Sequence, residues 1–254
     1  MRVIISGGGT GGHIFPAISI ANALKEADPA TEILFVGAEG RMEMERVPQA
    51  GYEIKGLPVA GFDRRNLLRN VAVLFKLVRS QRMARRILTE FKPDVCVGVG
   101  GYASGPTLKE AQRMGIPTLI QEQNSYPGVT NKLLAKRADK ICVAYDGLER
   151  FFPADKILKT GNPVRQALLD SSITREKARE AMHLGMKDPV VLIVGGSLGA
   201  RTLNNAVMYG LNQISQERVQ VVWQTGRYYY AQICHDLQHT VCPENLHVMQ
   251  FVED

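Results

Sequence analysis

Arg2-Val3-Ile4-Ile5-Ser6-Gly7-Gly8-Gly9-Thr10-Gly11-Gly12-His13 passes from an apolar run straight into glycines, and a helical pattern follows from Ile14. An apolar strand, a turn without Cβ atoms and then a helix make the opening of a parallel α/β unit. Such a turn lets backbone N–H groups approach a phosphate closely, and the positive helix end behind it favours the anion. The same order returns where Val190-Val191-Leu192-Ile193-Val194 runs into Gly195-Gly196-Ser197-Leu198-Gly199-Ala200. Between them, Val95-Cys96-Val97 leads into Gly98-Val99-Gly100-Gly101-Tyr102. Two cradles in separate halves predict a cleft that holds two phosphorylated ligands and moves a group between them.

The rest of the chain repeats the alternation. Strands are expected at Val3–Ser6, Glu32–Val36, Glu53–Leu57, Asp94–Gly98, Thr118–Gln121 and Lys140–Ala144. Helical patterns separate them at Ile14–Glu26, Met42–Ala50, Leu67–Glu90, Ala103–Met114 and Val129–Lys136. Uniformly apolar strands between helices read as a doubly wound parallel sheet with right-handed connections. Thr160-Gly161-Asn162-Pro163 punctuates the chain, so residues 1–162 are expected as one Rossmann-like domain and 163–254 as part of a second. In the second, a helix is expected over Arg175–Leu184, strands over Val190–Val194, Val219–Gln224 and His247–Phe251, and helices over Leu203–Ile214 and Tyr229–His239. That is half of a doubly wound domain, so the second domain reads as incomplete and the chain as impaired in any two-domain activity.

Composition narrows the class. The 254 residues, 45% hydrophobic and 22% charged, are those of a globular protein with room for two cores. No stretch approaches the ~18 apolar residues that cross a bilayer, and the first apolar run is expected as a strand rather than a signal peptide. Four scattered cysteines are too few for a disulfide framework, and Cys96 and Cys142, within apolar strand-like runs, are expected as buried thiols in a reducing cytoplasm. The net charge of +6 is concentrated: from Arg64 to Thr89 there are eight basic side chains and no acid. The remainder is nearly neutral, which argues against a general nucleic-acid surface.

Gly7, Gly9 and Gly12 satisfy the dinucleotide fingerprint G-x-G-x-x-G, but a nicotinamide site also wants an acid at the end of the second strand. Glu39 lies beyond Gly37-Ala38 and fits that role poorly. A ligand-free tight turn is the plain alternative. His13 follows the glycines, and an imidazole that titrates near neutral pH is a natural base. At a helix N-terminus the dipole is expected to lower its pKa.

Five motifs in order carry a resemblance. Gly8-Gly9-Thr10-Gly11-Gly12-His13 with Pro16-Ala17, then Gly98 to Pro106, Gln121-Glu122-Gln123-Asn124, Gly161-Asn162-Pro163-Val164-Arg165 and Gly195 to Ala200 resemble the MurG family. Its members are bacterial N-acetylglucosaminyltransferases that make lipid II in peptidoglycan synthesis. The resemblance spans the whole chain and implies a two-domain fold of the GT-B type. It implies UDP-N-acetylglucosamine as donor, the 4-hydroxyl of N-acetylmuramic acid in lipid I as acceptor, and inversion to a β-linkage. It further implies that Thr10, Gly11, Gly12 and Asn124 meet the donor sugar, that Arg165 and Ser197 bind its diphosphate, and that the backbone at Val252 reads uracil. Tyr102 either stacks on a sugar or packs. His13 and Glu122 compete as the general base, Glu122 alternatively serving as partner to a backbone N–H or to Arg165. No metal or other cofactor is demanded, because helix ends and arginine can neutralise a departing diphosphate.

Two further features need a reading. His235 and His239, at i and i+4 with Cys234, Cys242 and His247 nearby, have zinc-like spacing but lack the glutamate of a zinc-protease helix. In the basic segment, Leu67, Val71, Leu74 and Val78 form a stripe expected to face the core. Leu68, Val73, Phe75 and Leu77 fall outside it among Arg69, Lys76 and Arg79. The segment is either a solvated surface helix or a patch for an anionic membrane surface. The second fits the resemblance, whose members sit peripherally on the cytoplasmic face of the inner membrane. The competing functions are a UDP-N-acetylglucosamine epimerase, a non-catalytic membrane-surface module and, last, a Rossmann oxidoreductase.

Overall fold

The computed structural model describes residues 1–59, 69–165, 172–196 and 198–252, with the backbone alone at 69–72 and 74. The chain divides into two compact units, Met1–Asp170 and Ser171–Asp254.

The first unit is built on a seven-stranded sheet. Its strands are β1 (Arg2–Ser6), β2 (Glu32–Ala38), β3 (Glu53–Leu57), β4 (Val95–Gly98), β5 (Thr118–Glu122), β6 (Lys140–Val143) and β7 (Ile157–Lys159). They run parallel in the order β3-β2-β1-β4-β5-β6-β7. The helices are α1 (Gly11–Ala27), α2 (Glu43–Gln49), α3 (Arg69–Phe91), α4 (Ser104–Arg113) and α5 (Val129–Ala135). Strand side chains alternate between faces. Ile4, paired with Leu34, joins one core with Leu57, Leu108 and Ile120. Val3 and Ile5, the latter paired with Phe35, join a second core with Ile14, Ala17 and Ile18 of α1. Both faces are therefore covered, which is why Val3, Ile4 and Ile5 of β1 are all apolar. Strand order reverses between β1 and β4, and the crevice beyond their carboxyl ends is where this topology receives ligands.

Local chemistry moved several expected boundaries. The Thr10 carbonyl accepts the N–H groups of His13 and Ile14 at 3.1 and 3.2 Å, so α1 begins inside the glycine run rather than at Ile14. β7, three residues long, has too little pattern to be read from sequence. On α3 the expected core stripe is corrected at Val78, which is exposed. Among the described side chains of the helix the buried ones are Ser80, Ala84, Ile87 and Leu88, spaced at helical intervals. Leu67, Leu68 and the side chains of Val71 and Leu74 lie outside the described residues.

The second unit holds β8 (Val190–Val194), β9 (Gln220–Gln224) and β10 (Leu246–Met249), parallel and in the order β10-β9-β8. Its helices are α6 (Arg175–Ala181), α7 (Arg201–Tyr209), α8 (Leu211–Gln216) and α9 (Tyr230–Gln238). The helix expected over 203–214 is split at Gly210, and the one expected to reach Leu184 stops at Ala181, with His183 at φ +54°. Trp223 is fully buried against Val207, Leu211 and Ile233, and its indole N–H donates to Asn204 Oδ1 at 3.1 Å. β8, at the sheet edge, leaves Val190, Val191, Leu192 and Val194 exposed.

Candidate active site

The first glycine turn is organised by a residue that sequence reasoning missed. Glu43, at the start of α2, is buried to 1% exposure. Its Oε2 accepts the Gly9 N–H at 2.9 Å and its Oε1 the Ala38 N–H at 3.0 Å. A Cβ at Gly8 would run into this carboxylate, and one at Gly37 would lie 2.6 Å from Glu43 Cγ. These glycines therefore admit a side chain of the protein itself. The expectation that this turn cradles a phosphate is corrected at Gly9, whose donor is already taken by a buried acid. The only signal in the sequence was an acid at the first turn of a short helix after β2, where solvated acids are also common.

The second glycine turn, after β4, forms the floor under His13. Gly100 has φ +94°, and a Cβ there would stand 2.9 Å from both Nε2 and Cδ2 of the imidazole. Gly101, at φ +85°, packs on the backbone of Gly8, so the two turns are in direct contact. Thr10 Oγ1 lies 3.2 Å from His13 Nδ1. Burial drives the His13 pKa below its ordinary 6.5, while Glu122, a hydrogen bond to the Gly8 backbone and Glu43 pull it back upward. Desolvation, not the helix end invoked from sequence, is the leading cause, and it favours the neutral imidazole.

Glu122 ends β5 and is also 1% exposed. Its Oε1 accepts the Asn124 N–H and side-chain Nδ2, both at 3.0 Å. Its Oε2 accepts the Gly128 N–H at 3.1 Å and Asn131 Nδ2 at 2.9 Å. A carboxylate offers about four acceptor positions, and all are occupied. Glu122 thus ties the end of β5 to the start of α5 and orients Asn124. Asn131, which sequence reasoning also missed, is the buried partner in this clamp and donates as well to the Gln121 carbonyl at 3.3 Å.

A hollow of about 520 Å³ opens over His13, with Thr10, Gly12, Gln123, Asn124 and Tyr145 around it. The expected residues Thr10, Gly12, His13 and Asn124 are thus together. Gly11 packs on Phe15, and the exposed Arg165 guanidinium stands 5.6 Å above the same ring. Tyr102 goes elsewhere: it is exposed and lines a larger hollow of about 870 Å³ bordered by Leu77 of α3, Lys109 of α4 and Leu133 of α5. Ser197 lies outside the described residues. Val252 follows β10 in the second unit and is 38% exposed. There the third glycine turn is closed by Gln224, whose Oε1 accepts the Gly195 N–H at 2.9 Å while Nε2 donates to the Gly196 carbonyl at 2.9 Å.

On α3, Phe75 is 75% exposed beside exposed Lys76 and Arg79. Leu68, and the side chain of Arg69, lie outside the described residues. The basic run is partly neutralised, because Arg86 pairs with Glu90 at 2.6 Å and Arg85 approaches buried Glu110 at 3.8 Å. Among the described residues no helix is long and apolar enough to cross a membrane. Among them, too, no three His, Cys, Asp or Glu side chains are grouped to hold a metal ion. The rings of His235 and His239 pack edge to face at 4.9 Å.

Known proteins are similar to this chain in sequence and fold. The glycosyltransferase family 28 N-terminal domain matches residues 3–143, more than half of the chain, and the family's C-terminal domain matches residues 190–254. A relative from Phocaeicola vulgatus, named UDP-N-acetylglucosamine–N-acetylmuramyl-(pentapeptide) pyrophosphoryl-undecaprenol N-acetylglucosamine transferase, is 65% identical over all 254 residues, which span 68% of its length. A Flavobacterium psychrophilum protein of the same name is 50% identical over 99% of this chain and 68% of its own. The crystal structure of Acinetobacter baumannii MurG is similar with a TM-score of 0.68 and 29% identity, covering 100% of this chain and 67% of that one. A UDP-GlcNAc 2-epimerase from Neisseria meningitidis, 17% identical with a TM-score of 0.66, shares the fold alone. With both domains matched and half to two thirds of its residues identical to these relatives, the chain belongs to the MurG family within glycosyltransferase family 28.

Proposed function

We propose that this chain carries the machinery of an inverting glycosyltransferase that moves N-acetylglucosamine from UDP-N-acetylglucosamine to the 4-hydroxyl of N-acetylmuramic acid in lipid I, making lipid II for peptidoglycan. The observation that carries the reading is the hollow over His13: a half-buried imidazole, its neutral form favoured by burial, on a glycine floor and ringed by polar groups. His13 takes the proton of the acceptor hydroxyl as its oxygen attacks the anomeric carbon, and the UDP diphosphate departs from the opposite face. The imidazolium so formed is stabilised by Glu122 and Glu43, the two carboxylates that raise its proton affinity. Thr10, Gly12 and Asn124 bind sugar hydroxyls, and Glu122 positions Asn124 rather than moving a proton. Arg165 in the first unit and, in the second, the backbone N–H groups after Gly195 are each suited to phosphate oxygens of the donor. The epimerase reading rests on fold likeness alone.

We assign α3 to a peripheral membrane contact at the cytoplasmic face of the inner membrane. Exposed Phe75 and Val78 beside Lys76 and Arg79 support this reading, because apolar and cationic groups together suit an anionic interface. A lipid-linked acceptor requires such proximity.

The test compares His13→Ala with Glu122→Gln in a protein completed with the segments of the Phocaeicola vulgatus relative that lie outside the match. His13→Ala is expected to lower turnover on a lipid I analogue by ~10²–10⁴-fold with donor affinity little changed. Loss of donor binding in His13→Ala would make the residue structural. Survival of turnover in His13→Ala together with its loss in Glu122→Gln would hand the base to Glu122.

A further inference from the structure

The carboxyl end of β6 brings an aromatic ring to the hollow over His13. Tyr145 lies two residues beyond that strand, is 50% exposed and lines the hollow together with Thr10, Asn124 and Asn162. A lone exposed ring is ordinary on a protein surface, so what holds it there matters more than its exposure. Just before it, the Ala144 N–H donates to the Glu122 carbonyl at 3.1 Å. The Val143 carbonyl accepts the N–H groups of Thr160 and Gly161 at 3.0 and 3.2 Å. Just after it, Asp146 pairs with Lys159, Gly147 turns the chain at φ +78°, and Leu148 is buried at 1% exposure. Tyr145 therefore stands on a turn fixed at both ends. Glu122 serves twice, since its carboxylate orients Asn124 while its carbonyl anchors the approach to Tyr145.

Two other aromatic rings near the glycine turns are engaged elsewhere. Phe15 packs on Gly11 and lies under the Arg165 guanidinium, and Tyr102 lines the larger hollow. Over His13, Thr10 and Asn124 can meet hydroxyl groups, but a hydroxyl gives up a bond to water for each one it makes to protein, so the net gain is small. A pyranose has a second kind of surface. Its ring faces are made of C–H groups, and an aromatic ring laid against one removes apolar area from water. The electron-rich face of the aromatic ring also attracts the slightly positive hydrogens. Tyrosine suits this position because its body is apolar and its hydroxyl tip stays wet. Pro16, on the wall of the same hollow, adds apolar surface without competing polar atoms.

We propose that Tyr145 is a specificity-determining residue of this site: its ring is the platform for one C–H face of an N-acetylhexosamine whose hydroxyls meet Thr10 and Asn124. The proposal rests on the transferase reading and deepens it, because a sugar gripped by one face keeps its hydroxyl edge among the polar groups around His13. Donor and acceptor of that reaction both carry such a ring, N-acetylglucosamine and N-acetylmuramic acid, and the test separates them.

The first arm needs no turnover. Saturation-transfer NMR on the 254-residue chain uses the methyl glycosides of N-acetylglucosamine and N-acetylmuramic acid as probes. Transfer is expected for at least one of them, concentrated on the C–H groups of one ring face, lost in Tyr145→Ala and restored in Tyr145→Phe, which keeps the ring. No transfer to either probe, transfer spread evenly over both faces, or an unaffected Tyr145→Ala overturns the proposal. The second arm measures kinetics in the protein completed from its relative. Tyr145→Ala is expected to raise KM about tenfold, the scale of one aromatic contact, with kcat little changed and the urea midpoint unmoved. A rise in KM for UDP-N-acetylglucosamine places the donor ring on Tyr145, and a rise for the lipid I analogue places the acceptor ring there. A fall in kcat with both KM values unchanged, or a lowered urea midpoint that Tyr145→Phe does not restore, makes the residue structural and overturns the proposal. Tyr145-dependent sugar binding without transfer in the completed protein would sink the transferase reading and leave the platform standing.

Discussion

His13 shows how a single side chain is tuned by its surroundings. Burial lowers its pKa, and Glu122, the Gly8 backbone and Glu43 limit the fall. The sign gives a pH prediction. In the proposed role of base His13 must be neutral to act, so the acidic limb of kcat/KM is expected to lie below the ordinary imidazole value of about 6.5. A limb at or above that value, read from a pH–rate profile, would mean that burial does not control the residue. Glu122 makes a contrasting prediction about stability. Glu122→Gln replaces an acceptor of four hydrogen bonds by a group that cannot accept them all, and is expected to cost about 1–3 kcal/mol in urea denaturation. An unchanged midpoint would show that the clamp at Asn124, Gly128 and Asn131 is not worth its geometry. The place of His13 beside Thr10 and Gly12 was legible in the sequence because a glycine turn that opens a helix holds these neighbours together. Glu43 was not, since nothing local distinguishes an acid that turns inward under a glycine turn from one that solvates a helix start.

At the scale of elements, β1, β4 and their glycine turns could be read directly because burial on both faces leaves an unbroken apolar run. The face of α3 could not. Its apolar residues outnumber those one stripe needs, and among the described side chains packing buries Ser80, Ala84, Ile87 and Leu88 while leaving Phe75 and Val78 outside. That exposure yields a prediction for the membrane contact. The protein is expected to bind anionic vesicles, with affinity falling as salt rises. Phe75→Ser is expected to weaken binding about tenfold even at low salt, in line with the loss of a partly inserted aromatic side chain. Sedimentation with vesicles checks both points, and salt-insensitive binding or an inert Phe75→Ser would count against α3 as the contact. Arg85 and Arg86, paired with Glu110 and Glu90, are expected to contribute less to the salt dependence than Lys76 and Arg79.

At the scale of the whole molecule, the two units have separate cores: Ile4, Leu108 and Ile120 anchor one, Trp223 and Val207 the other. The chain's one tryptophan, Trp223, is buried in the second unit, so its fluorescence reports that unit alone. Fluorescence and far-ultraviolet circular dichroism are therefore expected to give non-coincident urea transitions, and a single shared midpoint would argue for one cooperative body. The alternation of strands and helices made the doubly wound class readable, while function came into view only when five spaced motifs were taken together. The most direct check is transfer itself, with UDP-[¹⁴C]N-acetylglucosamine and a lipid I analogue supplied to the protein completed from its relative. The account predicts label in the lipid fraction with a β-anomeric configuration by NMR, dependent on His13; epimerised free sugar without acceptor labelling, or an α-linked product, would contradict it.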